Sequence, residues 1–181
     1  MDRELDDAIR NYAEAVRDKF MREIQAEQSI DDLVNQLEGT IKEKRLDIYD
    51  DSKLEMDPER NSFIICLVPN MDKARRNFAI AHELGHLFLH TNFIASKTDA
   101  EQLYIPDFYK NRDYKKEKEA NDFARNLLMP KNEYIDKVKR YTNPQTDAVN
   151  IKSVAEYFGV SVDDAIYRGT KLGILKWLSI D

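Results

Sequence analysis

Residues 78–89, FAIAHELGHLFL, are apolar on nearly every side of a helix and yet hold His82, Glu83 and His86. A buried helix carries a glutamate and two imidazoles only if a charge partner meets them, because an unpaired buried charge is costly. The rest of the chain must therefore fold so as to bring a partner to this face. All three histidines of the sequence, His90 included, lie within residues 80–90. In the H-E-x-x-H spacing, His82 and His86 sit one above the other and can share one metal ion. Glu83 is turned about 100° from His82, which suits it to take a proton from a water beside that ion and pass it to a leaving amine. From composition alone the motif would arise with a probability on the order of 0.004, so a metal site is preferred to a pair of core histidines.

A catalytic zinc site takes three protein ligands and keeps a fourth position open. His90 lies too far along the axis to join His82 on one ion, and is read as an end-of-helix residue suited to the negative pole of the dipole. The third ligand is then a carboxylate. The segment EKEANDFARNLLMP, residues 117–130, aligns Glu117, Ala120, Asn121, Ala124, Leu127 and Leu128 on one helical stripe. Glu117 opens the inward face, whereas Glu119 points elsewhere with Phe123. Ala120 and Ala124 let this helix lie close to the motif helix, and Asn121 can hydrogen-bond a ligand histidine. Gly85 costs about 1 kcal/mol against alanine in a helix, a cost that close approach of another element would justify.

The remaining chain supplies a frame. Residues 2–28 place Leu5, Ile9, Tyr12, Val16, Phe20 and Ile24 at helical spacing. Ser29 opens a second helix expected to present Ile30, Leu33, Leu37 and Ile41. From Arg45 the period changes: RLDIYDD alternates, SFIICLVP is β-rich, and MDPERNS between them carries turn residues, so a small sheet with a hairpin is expected. Cys66 falls in the buried strand. Asn70 or Asp72 is expected to cap the motif helix. Residues 91–116 have no sustained period, and their tyrosines, Tyr104, Tyr109 and Tyr114, are candidates to steady an oxyanion but are better read as packing groups. Helices follow over residues 117–129 and 131–141, then two short ones flank Gly159, with GILKWLSI returning as a strand.

The segments RRNFAIAHELGHLFLH and EKEANDFARNLLMP together resemble the ImmA/IrrE family of bacterial zinc metallo-endopeptidases, and VAEYFGVS with RGTKLGIL resembles its C-terminal portion. The resemblance implies an α+β fold: a mainly helical zincin-like domain with a small β-sheet and an active-site HExxH helix. It assigns Glu117 rather than Glu119 as the third ligand, so that His82, His86 and Glu117 would hold Zn2+ and Glu83 would be catalytic. It also implies a protein substrate, a helix-turn-helix transcriptional repressor of a mobile element or stress regulon. The chain divides on this reading into an N-terminal helical segment, 1–45, a metallopeptidase core, 46–141, and a C-terminal helical region, 142–181.

Charge and competing readings point the same way. The chain has 34 acidic residues against 28 Lys and Arg, a net charge of −6, which disfavours a nucleic-acid or anionic-membrane partner. With no apolar run of about 18 residues and no signal-like N-terminus, the sequence reads as cytoplasmic. SVAEYFGVSVDDAIYRG has the rhythm of a helix-turn-helix, so a DNA-binding regulator is the alternative. Its second helix opens with Asp163 and Asp164, however, and only Arg168 and Lys171 offset them. A metal-dependent regulatory module without peptidase activity is a further alternative, but it would have no use for Glu83.

Overall fold

The computed structural model describes residues 3–20, 29–48, 50–57, 59–60, 62–91 and 113–175. Helix α1, Arg3–Phe20, buries Leu5, Ile9, Tyr12, Ala13 and Val16, the face its spacing requires. In α2, Ile30–Gln36, Ile30, Leu33 and Val34 point inward, and the Ser29 backbone N–H donates to Asp32 Oδ2 at 2.9 Å to fix the start. The expected continuation of this helix to Ile41 does not occur. Glu38 takes a positive φ of 59°, and Gly39 lies so close to Phe63 that an added Cβ would stand 2.3 Å from the ring. The chain turns there, and Ile41 belongs to a strand.

That strand, β1 (Thr40–Glu43), β2 (Ser52–Asp57) and β3 (Ser62–Leu67) form a sheet in the order β1-β3-β2. β1 runs parallel to β3, and β2 pairs antiparallel with it, Ser52 opposite Leu67 and Asp57 opposite Ser62. The hairpin is where the turn residues place it, but its first strand is SKLEMD and not RLDIYDD. Pairing next to a tight turn fixes the register, so only the residues directly preceding the turn can face β3. Phe63, Ile65 and Leu67 are buried on the face that packs towards the helices, and Cys66 is buried too. Among the described residues β2 lies at the edge of the sheet.

Helix α3, Lys73–His90, starts at Asp72, whose Oδ1 accepts from Arg75 N at 2.9 Å. Helix α4, Asp113–Leu128, begins four residues before the expected start and lies against α3 on one side and α1 on the other. The α3–α4 contact is closest at Gly85, where an added Cβ would lie 2.9 Å from both Cα and O of Ala120. Close approach, and no mere tolerance, accounts for this glycine. Helices α1, α2, α3 and α4 and the sheet share one apolar core.

Met129 leads into a second core built by α5, Lys131–Arg140, α6, Ile151–Phe158, and α7, Val162–Lys171. α6 ends at Gly159 with φ 62°, a conformation that favours glycine. A turn at residues 172–173 ends α7, residues 173–175 are not strand, and the remainder of the expected terminal strand lies outside the described residues. The architecture is α+β and mainly helical. Among the described residues no helix is long and apolar enough to cross a membrane.

Candidate metal centre

The close α3–α4 contact determines what Glu117 can reach. It stands one turn before Ala120, so the helix that closes on Gly85 carries the Glu117 carboxylate over the histidine stripe of α3. Glu117 Oε2 lies 3.2 Å from His82 Nε2, and Oε1 lies 3.3 Å from His86 Nε2. The two Nε2 atoms are 3.0 Å apart, and one ligand atom from each of the three residues falls within 4.8 Å of the others. The structure thus brings together the three residues named as ligands from the sequence. Asn121, a turn further along α4, meets His82 Nδ1 through Oδ1 at 3.1 Å.

An amide oxygen can only accept. His82 therefore donates from Nδ1 and presents a bare Nε2 to the cluster. Burial, then the neighbouring His82, holds His86 down to about 4, so its imidazole is neutral near pH 7. With both rings in the Nδ1–H form, two imidazole nitrogens and a carboxylate turn their lone pairs towards one another, and a divalent cation is what satisfies such a set. The donor set fits a divalent metal on this ground.

Glu83 faces the other way, towards the sheet. It is 5% exposed, and Ser52 Oγ, on the edge strand β2, donates to its Oε1 at 2.6 Å. Burial pushes its carboxyl above the usual glutamate value, while the Ser52 hydroxyl, His82 and the Leu54 backbone N–H pull it down. A cleft of about 920 Å³ opens over His82, Glu83, His86 and Glu117 and is walled by Ser52 and Leu54. Ser52 carried no signal in the sequence, because nothing in SKLEMD marks a strand that reaches a buried glutamate.

Glu119 stays out of the cluster, on the side of Phe123 as expected, but that side is covered: it is 3% exposed, and its Oε2 lies 3.1 Å from His90 Nε2. His90 ends α3, as expected, yet it does so under protein; burial, then Lys116, holds it down to about 4, and its Nδ1 lies 3.0 Å from His86 Nδ1. Glu119 is buried because α4 has two covered sides, so a residue away from α3's centre still lies under protein. Tyr104 and Tyr109 and the side chain of Tyr114 lie outside the described residues.

The helix-turn-helix rhythm is real, but Arg168, one of its two named basic residues, serves the fold. Arg168 is buried and donates through Nε to Met129 O at 3.0 Å. Asp164 pairs with Arg125 at 3.0 Å. A guanidinium committed to a carbonyl inside the second core has no reach to phosphate.

No curated protein matches the chain. The solved structure of a Mycobacterium tuberculosis transcriptional regulator superposes with a TM-score of 0.59 at 16% identity, covering 91% of this chain and 50% of that one. That likeness shows a shared fold, and the chain spans half the length of the regulator. Residues 35–169 match the family described as IrrE N-terminal-like domain, peptidase M78. This span runs from the end of α2 into α7 and takes in the whole histidine–glutamate cluster, and on it the chain belongs to the M78 family of metallopeptidases.

Proposed function

We propose that this protein is a zinc-dependent endopeptidase in which His82, His86 and Glu117 hold the ion and Glu83 is the general base. The observation that carries the reading is the convergence of bare His82 Nε2, His86 Nε2 and the Glu117 carboxylate in a cleft whose floor also holds a buried, hydrogen-bonded Glu83. Bound there, zinc would supply a Lewis acid for the scissile carbonyl and ease the deprotonation of water.

The chain's own residues do the rest. Burial raises the affinity of Glu83 for a proton, so it can accept one from the attacking water as the new C–O bond forms. When the C–N bond breaks, the same carboxyl returns the proton to the departing amine nitrogen. Ser52 holds Oε1 of this carboxylate, which lines the cleft. β2, at the edge of the sheet and in the cleft wall, offers backbone groups along which an extended peptide can lie.

The substrate on this reading is a protein, specifically a helix-turn-helix transcriptional repressor in the cytoplasm. Support comes from the family resemblance and from the net charge of −6, which would attract the basic DNA-reading surface of such a partner. The test is to incubate the zinc-loaded protein with the repressor encoded beside it and follow the products by mass spectrometry. Glu83→Gln should keep the metal and lose roughly 10² to 10⁴ fold in rate. Undiminished cleavage by that variant would remove Glu83 from the mechanism. Specific duplex binding by the wild type with the repressor left whole would favour the DNA-binding regulator.

A further inference from the structure

Glu83 is 5% exposed, and a carboxyl so placed depends on protein partners, because water does not readily replace one that is lost. Two donors meet it, and both come from one strand. Ser52 Oγ donates to Glu83 Oε1 at 2.6 Å, and the Leu54 backbone N–H is bonded to the same carboxyl. The pairing of β2 explains how. Val68 N donates to Asp51 O at 3.0 Å across the β2–β3 ladder, with Ser52 opposite Leu67 and Leu54 opposite Ile65. In an antiparallel pair, hydrogen-bonded and non-hydrogen-bonded residues alternate. Asp51 and Lys53 therefore turn their backbone groups to β3, and Ser52 and Leu54 turn theirs away from it. The Leu54 N–H is left for α3, and the Ser52 side chain stands on the same face of the strand, two residues away.

We propose that Ser52 is a positioning residue for Glu83: together with the Leu54 N–H it fixes the carboxyl in the cleft, so that the base meets the attacking water in one place. This rests on the reading of Glu83 as the general base. A carboxyl held by one donor can turn about that contact, and two donors two residues apart on a paired strand remove the freedom. The choice of a hydroxyl also suits the chemistry. A general base takes a proton and returns it, and a hydroxyl both donates and accepts, so the contact persists whether or not Glu83 holds the proton. A lysine or arginine in its place could only donate and would favour the ionised state throughout. Nearby groups are committed elsewhere. Arg75, two turns before Glu83 on the same stripe of α3, spends its guanidinium on Asp51, and His82 Nδ1 faces Asn121.

Ser52→Ala removes the hydroxyl, and Ser52→Thr keeps it. With the zinc-loaded full chain acting on a quenched fluorescent peptide selected from a mixed library, Ser52→Ala should keep its zinc, read by chelator competition, and its KM, while kcat falls by about 10- to 100-fold, the scale of a misplaced reacting group. Ser52→Thr should recover most of the rate. In a Glu83→Gln background, Ser52→Ala should change the residual rate by less than about twofold, because a residue that acts only through Glu83 has nothing left to position. Urea midpoints of the metal-free protein give a second reading without catalysis: Ser52→Ala should lower the midpoint of the wild type and should not lower that of Glu83→Leu. Full kcat in Ser52→Ala, a loss that survives undiminished in Glu83→Gln, or equal midpoint shifts in the two backgrounds would each overturn the proposal. A wild type that binds zinc and cleaves no peptide of the library would instead defeat the peptidase reading, and the positioning role with it.

Discussion

Gly85→Ala is the substitution by which the link between helix packing and the metal cluster can be measured. In an isolated helix the change would stabilise by about 1 kcal/mol. Here the new methyl would sit 2.9 Å from Ala120 Cα, 2.9 Å from Ala120 O and 3.2 Å from Ala120 Cβ. The first two are backbone atoms and no rotamer change moves them. α3 and α4 must then separate, and overpacking of this kind costs roughly 1 to 3 kcal/mol. The steric term opposes the propensity gain, and with the contact on backbone it should prevail, leaving a net loss of about 1 kcal/mol and a midpoint lower by roughly 2 to 4 °C for a chain of this size. The displacement also reaches the site, because Glu117 sits one turn from Ala120 on the helix that is pushed away and reaches His82 and His86 on the other. Zinc affinity should fall together with stability. Urea denaturation of the metal-free protein gives the first quantity, and chelator competition the second. A Gly85→Ala protein as stable as the wild type, with unaltered zinc affinity, would refute the claim that this contact sets the site.

The ligand assignment predicts near one zinc per chain by elemental analysis of protein purified without added metal, with His82→Ala, His86→Ala and Glu117→Ala each losing it; full occupancy in all three would sink the assignment. Arg76 meets Asp31 through two hydrogen bonds, at 2.8 and 2.5 Å, which hold the aspartate below its ordinary value. A depressed carboxyl contributes stability above its unfolded value of about 4 and loses it as pH falls through the folded one. Arg76→Ala should therefore be less stable at pH 7 and show a shallower loss of stability between about pH 5 and the depressed folded value, as read from midpoints across pH; parallel wild-type and variant curves would show that the pair contributes nothing.

Regular elements were legible where periodicity and packing agree. The face of α1 and the cap at Asp72 follow from local spacing and from one hydrogen-bonding side chain. Ile41 was misplaced because helical spacing continues past Glu38 and Gly39 by coincidence, while the ring of Phe63, distant in sequence, decides where the chain turns. RLDIYDD alternates as a strand should, yet alternation does not choose a partner. The Asp57–Ser62 pairing beside the turn does, and it leaves residues 45–48, 50 and 51 beyond the sheet.

The same distinction governs the site. His82, Glu83 and His86 could be read because their relation lies within one helix, and Glu117 because small residues at Ala120 and Ala124 marked the face that closes on α3. Ser52 could not be read, since its contact with Glu83 spans elements joined only by the fold. The burial of Glu119 could not be read for a subtler reason. Periodicity separates one face of a helix from its opposite, and it equates opposite with exposed only when the helix has a single neighbour. α4 has two, with Phe123 buried against Tyr12 and Phe88, so Glu119 lies under protein beside His90. A charged residue in such a helix has to find its partner inside the molecule. That partner is His90, which continues the stripe of His82 and His86 along α3, and a relation of this kind, between two helices, lies beyond the reach of either helix's own periodicity.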